Sequence, residues 1–485
     1  MSSQEREDLV ARLAVALTGE TTGDGAGEMD SPNHTMTAAS QERLIAVLEG
    51  LHPADIAEAM DEMPSDQALA VFRALDNTRA AEVLDELDPD TATYLLDHDL
   101  PDRIADLLDI LPMDDAAEIV AEYSEASPEQ AEALIESLSE RAPEDAAEVR
   151  ELLSYKEQTA GRLMTDKFVR LLPEMQVEEA FGAIRRSDPD VETLADLYVV
   201  ERTPSGREML YGVLSLRDLV RSEPNIYVRD IMTVEPISVT VDTDQEEVAQ
   251  IISKYDFNAV PVLDRQGALA GIVTVDDVVD VLVEEQTEDA LRQGAVDAGV
   301  MDTPYFSTPV HRVVRSRVTW LLLLFVGGAL TTAVLGAAEG ELDQVPALAI
   351  YIALLTGTGG NTGAQTVSTI IRGLALQEIR LRDTPKVLLK ELGTGLLLGG
   401  LMGAIALVLL LVFRRESVNL AWVVALTIWA VCAWANVIAA LVPLAARKFK
   451  VDPALVSAPL ITTLVDATGL AIYLWIAKLL LDALR

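Results

Sequence analysis

The chain has 485 residues, one cysteine and a formal net charge of −41. Residues 1–310 hold 22 basic and 68 acidic side chains, whereas residues 311–485 hold 15 basic and 10 acidic ones. So acidic a segment repels nucleic acid, and a single cysteine, Cys432, excludes a disulfide framework. The opening MSSQERED has no apolar core, so we expect no signal peptide and a cytoplasmic location for residues 1–310.

The first 150 residues are predicted to be a disordered tail followed by stacked short helices. The glycine-rich run at 19–27 indicates disorder for residues 1–44. From residue 51 to 123, similar units start every 12 residues, at Asp55, Gln67, Arg79, Thr91, Arg103 and Asp115. One such helix cannot bury its apolar face alone, so residues 45–150 should form an acidic α-helical superhelix.

Residues 160–285 contain a duplication. GRLMT (161–165) recurs in outline as VRDIMT (228–233), and GVLSLRD (212–218) recurs as GIVTVDD (271–277). A helical stretch and a β-branched run lie within each copy. The pattern resembles a tandem pair of CBS domains, which are small α/β units.

Each copy ends in a Ser/Thr-x-x-Asp element, Ser215 to Asp218 and Thr274 to Asp277. These elements resemble the ribose-contacting motif of CBS pairs that bind adenine nucleotides. The alternative is that each aspartate caps the helix that follows.

An acidic helix follows the second copy. Its carboxylates recur at three- and four-residue spacing and so share one face: Asp277, Asp280, Glu284, Glu285 and Glu288. Like charges at this spacing destabilise a helix unless something neutralises them. The alternative is a solvated acidic face, and for residues 1–310 as a whole an acidic surface suited to a salty cytosol. We predict that residues 286–318 form a connecting helix.

Residues 319–485 are predicted to form an all-α transmembrane domain with five helices. The apolar runs are 319–338, 345–371, 387–413, 420–446 and 454–481. Positive charges concentrate before the first run, between the second and third, and after the fourth. They predict a cytoplasmic N-terminus and an external C-terminus. Five helices line a pathway more easily at a two-fold axis, so we expect a homodimer.

The second run contains four glycines in seven positions, from Gly357 to Gly363. Glycine is a poor helix former, so we expect broken backbone that lines a cavity, with Asn361 and Gln365 contacting a hydrated ion. The alternative is close helix packing through Gly359-x-x-x-Gly363.

Asp466 lies within the fifth run. An ionised carboxylate there costs about 2.5 kcal/mol or more, so it normally faces a wet cavity on an ion path. The alternative is a protonated or hydrogen-bonded aspartate that only strengthens packing. Thr462 and Thr463 add oxygen ligands, and no Cys, His or Met adjoins Asp466. This favours a hard cation such as hydrated Mg²⁺, with Ca²⁺, Mn²⁺ or Co²⁺ remaining open.

The whole chain resembles the MgtE-type magnesium channels over residues 45–485. The most specific segments are GTGGNTGAQ (357–365), KELGTG (390–395), AN (435–436), DPA (452–454) and TTLVDATG (462–469). The resemblance implies a multidomain membrane protein: a dimeric Mg²⁺ channel of the cytoplasmic membrane that closes when internal Mg²⁺ is high.

Functional residues are implied by the same resemblance. Asp466 matches the selectivity carboxylate, and Glu339 an acidic residue near the external mouth. The predicted pathway also includes Gly357, Gly359, Gly360, Asn361, Gln365, Asn436 and Thr463. Regulatory Mg²⁺ sites are implied at Glu82, Asp114, Glu118, Asp256, Asp277, Asp280, Glu285 and Glu288. Phe257 and Asp277 are candidate contacts for ATP as a regulator.

Two other classes of protein fit the sequence less well. A CBS-regulated transporter for another solute would be expected to show inverted repeats, and none is visible. An enzyme would need a catalytic constellation, but the sequence has no Walker motif and no His-Glu-x-x-His. We therefore expect a membrane-embedded transporter and not an enzyme.

Overall fold

The computed structural model describes residues 3–18, 38–187, 191–204, 206–297, 308–414 and 416–481. The chain divides into two compact units, Met1–Glu284 and Glu285–Arg485. The first is helical and then α/β, and the second is α-helical.

In its described residues, the first unit begins with ten helices. They are α1 Ser3–Thr18, α2 Ala38–Leu48, α3 Pro53–Asp61, α4 Ser65–Ala74, α5 Asn77–Asp85, α6 Pro89–His98, α7 Pro101–Leu108, α8 Met113–Ala126, α9 Pro128–Arg141 and α10 Pro143–Ser154. Helices α3 to α8 start at intervals of 12 residues, and proline opens several of them, where its missing N–H costs nothing. Helices two positions apart pack together, α3 on α5 and α4 on α6, so the apolar faces meet in one core.

The predicted disorder is wrong for the described part of residues 1–44. Helix α1 buries Leu9, Leu13 and Ala16, which lie on one helical face and join the core of the helical stack. Packing against α2, α3 and α4 stabilises this helix, since most helical stability in proteins comes from tertiary packing of an amphipathic face. Residues 1–2 and 19–37, which include the glycine-rich run, lie outside the described residues.

Two small sheets follow, as the duplication predicted. The elements are α11 Ala160–Leu163, β1 Phe168–Leu171, α12 Val177–Ile184, β2 Thr193–Arg202, β3 Glu208–Ser215, α13 Leu216–Arg221, β4 Thr233–Val234, β5 Val239–Thr240, α14 Gln245–Tyr255, β6 Ala259–Leu263, β7 Leu269–Thr274 and α15 Val275–Gln293. Their orders are β1-β2-β3-β4 and β5-β6-β7. In both sheets a parallel pair is followed by an antiparallel hairpin, which confirms the two α/β units.

The predicted single connecting helix over 286–318 is wrong. Helix α15 ends at Gln293, and the next helix begins at Val310. Ala295 adopts φ 59° and the Val296 N–H donates to the Leu291 carbonyl, which is a Schellman-type termination. Residues 298–307 lie outside the described residues.

The second unit contains long helices at all five predicted positions. They are α16 Val310–Ala337, the short α17 Glu339–Gln344, α18 Ala347–Ala375, α19 Thr384–Val408 with a π-helical turn Leu409–Arg414, α20 Val418–Lys448 and α21 Ala458–Leu480. In the described part of the chain, α16, α19, α20 and α21 are long and apolar enough to cross a membrane. Helix α18 has 29 residues, but its glycines, threonines and asparagine lower its mean hydropathy.

Glycines allow α19 and α20 to pack closely. A Cβ added at Gly395, Gly399 or Gly403 would lie 2.7 Å from backbone atoms of α20. These positions are four residues apart, so one face of α19 touches its neighbour along three turns. Such contacts supply van der Waals packing where lipid offers no hydrophobic driving force.

Candidate functional sites: a membrane carboxylate and an acidic cleft

The glycine-rich segment is continuous helix, so the predicted broken backbone is wrong. A Cβ at Gly359 would lie 2.5 Å from Val431 of α20, and one at Gly363 would lie 2.9 Å from Ile461 of α21. These glycines therefore serve helix packing, which was the alternative interpretation. The contacts offset the low helix propensity of glycine, about 1 kcal/mol per residue.

Gly360 places α18 beside Asp466. A Cβ at Gly360 would lie 3.7 Å from Asp466 Oδ1 and 3.3 Å from Thr462 Cγ2. Asp466 is partly buried in the first half of α21. The missing side chain at Gly360 leaves space next to the carboxylate.

The two threonines near Asp466 differ in what they face. Both hydroxyls donate to the Pro459 carbonyl, at 2.9 Å for Thr462 and 2.8 Å for Thr463, so their oxygens keep lone pairs. The Thr462 methyl faces Gly360, whereas the Thr463 methyl would lie 2.8 Å from a Cβ at Gly327 of α16. Thr462 therefore packs against α18 beside Gly360, and Thr463 packs against α16.

One face of α18 carries a polar row. Gly357, Asn361 and Gln365 follow at four-residue intervals, and all three are exposed in the single chain. Asparagine and glutamine amides are costly to leave facing lipid, because hydrocarbon offers them no hydrogen bonds. This face therefore needs water or another protein surface.

Asn436 does not line an open surface, contrary to the prediction. Its side chain is fully buried in α20. It accepts from the Thr366 hydroxyl at 2.9 Å and donates to the Glu391 carbonyl at 3.2 Å. Its amide thus joins α18, α19 and α20, within the helix packing.

Glu339 is exposed at the first position of α17, directly after the C-terminal end of α16. Asp466 lies on a different helix, α21. The predicted roles, Glu339 near the external mouth and Asp466 as the selectivity carboxylate, stay predictions.

The second site is an acidic cleft in the first unit. A cavity of about 550 Å³ separates α5 and α8 from the start of α15. We define the acidic cleft by seven of its lining carboxylates: Asp85, Asp114, Asp115, Glu118, Asp277, Asp280 and Glu284. Oxygens of Asp114, Asp115 and Asp277 lie within 4.8 Å of one another. Three converging carboxylates form a hard, anionic ligand set.

Burial and mutual repulsion perturb these carboxyl groups. Burial, and then the neighbouring Glu118 carboxylate, raise the pKa of Asp85 to about 7. Burial, and then Asp85 and Asp114, raise the pKa of Asp115 to about 9. The pKa of buried Asp114 is raised chiefly by burial, and its Oδ1 finds no hydrogen-bond partner among the described residues. The cleft therefore favours added positive charge, from protons or a cation.

Asp277 also performs the helix-capping role. Its Oδ2 accepts from the Thr274 hydroxyl at 2.6 Å and from the Thr274 N–H at 3.3 Å. Burial nonetheless raises its pKa. In the first copy the Ser215 hydroxyl donates to Asp218 Oδ2 at 2.8 Å, and the Ser215 oxygen caps α13 by accepting from the Asp218 N–H at 3.1 Å. The aspartate therefore caps its helix in the second copy, and the second oxygen of Asp277 remains available to the cleft.

A basic side chain enters the cleft from the α/β part. Arg162 of α11 lines the cavity and donates to the Ala117 carbonyl of α8 at 3.0 Å. It lies near Glu118. Burial raises the pKa of Glu118, and the positive charge of Arg162 offsets part of this increase. One guanidinium neutralises only a small part of seven carboxylates.

The sequence did not single out every member of the cleft. Asp85 and Asp115 were missed. Glu192, which lies outside the cavity lining, was also missed, and burial and then the Asp277 charge raise its pKa. Glu82, which was predicted, is exposed and lies outside the cavity lining. Glu82 and Asp85 are three residues apart on α5, so a helical-period search from Glu82 would have reached Asp85.

The remaining predicted metal residues lie outside the cleft. Asp256 is exposed and ends α14 in the left-handed conformation, with φ 54°. Phe257 stacks on Tyr255, with ring centroids 5.5 Å apart. Glu285 and Glu288 belong to the second unit, where Glu288 pairs with Arg292.

Long apolar helices around an intramembrane carboxylate, preceded by an acidic helical stack and a pair of CBS-like units, define a membrane transport protein. Three family models match it: Divalent cation transporter (MgtE) at 352–476, MgtE intracellular N domain at 51–158, and CBS domain at 160–225 and 228–284. The chain belongs to the MgtE family, and this membership confirms that it is not an enzyme.

Two curated relatives illustrate the similarity. The chain is 46% identical to the magnesium transporter MgtE of Thermus thermophilus over 340 residues, covering 70% of this chain and 73% of that protein. It is 33% identical to MgtE of Bacillus subtilis over 336 residues, covering 69% and 72%. A solved cytosolic domain of the Mg²⁺ channel MgtE in complex with ATP is 37% identical, covers 56% of this chain and 99% of its own, and has a TM-score of 0.48.

Proposed function

We propose that this protein transports Mg²⁺ across the cytoplasmic membrane and that Mg²⁺ bound in the acidic cleft closes the pathway. The observation that carries the transport proposal is Asp466, held inside an apolar helix beside Gly360. Family membership supports it, because the curated relatives are magnesium transporters. The chain is a multi-pass membrane protein, and its N-terminus is proposed to be cytoplasmic and its C-terminus external.

Asp466 suits a hydrated hard cation. Mg²⁺ dehydrates reluctantly and is usually held through water by one or two carboxylates. The Asp466 carboxylate and the Thr462 hydroxyl oxygen provide hard ligands, and the space at Gly360 leaves room for water. Glu339 is proposed to attract cations at the external mouth.

A homodimer would cover the polar row on α18. Asn361 and Gln365 are exposed in the single chain although they lie on a membrane helix. A two-fold axis along this face would pair the rows of two copies around water and contribute two Asp466 carboxylates. This arrangement satisfies the amides without exposing them to lipid.

The acidic cleft fits a regulatory Mg²⁺. The Asp114 oxygen that lacks a partner among the described residues, and the convergence of Asp115 and Asp277, provide anionic oxygen ligands. A divalent cation would offset the repulsion between α8 and α15, and its loss would let these surfaces separate. Mg²⁺ can shift such an equilibrium only through its higher affinity for one state. Glu118, Asp256, Asp280, Glu285 and Glu288 remain proposed contributors to regulation, whereas for Glu82, which lies outside the cavity lining, we expect no contribution.

ATP is proposed as a second regulator, near Phe257 and Asp277. These residues flank strands β6 and β7, and the Val275 N–H donates to the Asn258 carbonyl at 2.8 Å, which holds the two segments together. Asp277 also belongs to the cleft, so a nucleotide there would affect the carboxylate that meets Asp114 and Asp115.

Mg²⁺ uptake into proteoliposomes tests the transport proposal. Purified full-length protein should carry Mg²⁺ down its gradient into vesicles, detected with an internal Mg²⁺ indicator, and protein-free vesicles should not. Parallel runs with Ca²⁺, Mn²⁺ and Co²⁺ determine the cation preference. No uptake of any of these cations by folded protein would contradict the proposal, and uptake of another cation in preference to Mg²⁺ would correct the substrate.

Mg²⁺ binding to the cleft should strengthen as pH rises. The pKa values of Asp85 and Asp115 are raised to about 7 and about 9, so at neutral pH without a bound cation Asp85 is about half protonated and Asp115 largely protonated. Mg²⁺ must displace these protons, so its affinity should increase from pH 6 to pH 9, with proton release. Without Mg²⁺ the same shifts make the first unit less stable as pH rises through this range.

Isothermal titration calorimetry measures both effects. Titrations of the full-length protein at pH 6, 7 and 8, in buffers of different ionisation enthalpy, give the affinity and the number of protons released. A Glu82→Gln variant should retain the pH dependence because Glu82 lies outside the cavity lining. A Mg²⁺ affinity that is independent of pH would contradict binding at Asp85 and Asp115.

A further inference from the structure

Asn436 joins three helices through one side-chain amide. Its Oδ1 accepts from Thr366 of α18 at 2.9 Å, and its Nδ2 donates to the Glu391 carbonyl of α19 at 3.2 Å. The Asn436 side chain is exposed to neither water nor lipid, because its relative exposure is 0%. Thr366 is 6% exposed. An amide supplies both a donor and an acceptor, whereas aspartate supplies only acceptors and leucine supplies neither.

The same contact lies next to the glycine face of α18. Gly363 precedes Thr366 by one turn, and a Cβ there would lie 3.9 Å from Ala435, the neighbour of Asn436, and 3.5 Å from Val465, the neighbour of Asp466. Gly360, one turn further, adjoins Asp466 itself. A single helical segment therefore connects the Asn436 contact to the carboxylate.

Rotation of α18 would disrupt this arrangement. Successive residues on a helix are separated by about 100°, so a rotation by one residue would turn Gly360 away from Asp466 and bring Gly359 or the Asn361 side chain to that position. The close contacts of Gly359 and Gly363 already restrict this rotation sterically, and the Thr366–Asn436 hydrogen bond adds a contact of defined geometry. The hydrogen bond thus helps to fix one rotation of α18.

We infer that Asn436 is a positioning residue for cation selection, which orients α18 through Thr366 so that Gly360 faces Asp466. This inference rests on the proposed transport function. Asn436 acts through α18 and does not touch the cation. The same rotation sets the direction of Asn361 and Gln365 on the exposed face of α18.

A Thr366→Val variant tests the inference with little change of shape. Valine is close to threonine in size but cannot donate to Asn436. With low Mg²⁺ on the cleft side, we expect the half-saturating external Mg²⁺ concentration to rise, or the Mg²⁺-to-Ca²⁺ flux ratio to fall, by about three- to fifteenfold, the range of interhelical hydrogen bonds in membranes. Thr366→Ser keeps the hydroxyl and should restore wild-type values.

Thr427→Val is the matched control. Thr427 is also fully buried on α20, but its hydroxyl donates to the Val423 carbonyl of the same helix at 2.7 Å. Its loss should leave the half-saturating concentration and the flux ratio unchanged. Asn436→Leu combined with Thr366→Val should show no larger change than Asn436→Leu alone, because both remove the same hydrogen bond.

The outcomes distinguish positioning from general stability. If Thr366→Val lowers the thermal midpoint or the maximal flux but leaves half-saturation and the flux ratio at wild-type values, Asn436 is only structural and the inference is wrong. If Asn436→Leu does not fold, the comparison of Thr366→Val with Thr366→Ser still distinguishes a positioning role from a structural one. Absence of flux in folded wild-type protein would instead overturn the proposed transport function.

Discussion

Asp466→Asn is expected to lower Mg²⁺ flux into proteoliposomes by about a hundredfold or more. Asparagine has nearly the same shape, so the contact with Gly360 and Thr462 should persist while the negative charge is lost. A charge opposite Mg²⁺ in a medium of low dielectric constant contributes several kcal/mol, and about 1.4 kcal/mol corresponds to a tenfold change. The measurement is initial Mg²⁺ uptake per folded protein, with low Mg²⁺ on the cleft side.

Glu378→Gln provides the control for Asp466→Asn. Glu378 is an exposed carboxylate after the end of α18, in the same unit of the chain. Its neutralisation removes one negative charge from that unit without altering α21, so uptake should stay within about twofold of wild type. Flux that survives Asp466→Asn at a comparable level would show that Asp466 only strengthens helix packing.

Neutralising the cleft should make transport much less sensitive to Mg²⁺ on the cleft side. In Asp85→Asn/Asp115→Asn/Asp277→Asn we expect half-inhibition to require at least about tenfold more Mg²⁺, with maximal flux retained. The three changes remove anionic ligands, and the inhibitory effect depends on the difference in Mg²⁺ affinity between the two states. Flux at a series of Mg²⁺ concentrations on the cleft side measures the shift.

The triple variant also has a second effect, which would increase and not decrease closure of the pathway. Amides also remove repulsion within the cleft, which by itself would favour the closed state. This effect is the smaller one, because the pKa values of about 7 for Asp85 and about 9 for Asp115 leave Asp85 about half protonated and Asp115 largely protonated at neutral pH without Mg²⁺. Loss of flux in the triple variant without any Mg²⁺ would contradict this ranking.

Comparing Glu82→Gln with Asp85→Asn tests whether the residue implied by the family resemblance or the residue in the cavity lining binds the regulatory Mg²⁺. The resemblance implies a regulatory role for Glu82, whereas the structure places Asp85, on the same helix, in the cavity lining. We expect Asp85→Asn alone to raise the inhibitory Mg²⁺ concentration and Glu82→Gln to leave it unchanged. The reverse result would show that the cleft carboxylates are not the regulatory ligands.

Features that depend on nearby residues were predictable from the sequence. Apolar runs indicated long helices at the positions of α16 and α18 to α21, and 12-residue spacing indicated the short helices α3 to α8. Hydropathy and helix-start residues act over one or two turns, so a local pattern suffices. Asp466 was recognisable for the same reason, as a carboxylate within an apolar run.

The sequence by itself thus determined the two-part organisation, the duplicated α/β units and the carboxylate within the membrane segment. Only the tertiary structure decided that the glycines of α18 form packed helix, that Asn436 faces inward, and that Asp115 meets Asp277. These features depend on how a helix is rotated and on which distant segment packs against it. That choice results from the combined packing and hydrogen bonding of residues far apart in the chain, which no local pattern contains.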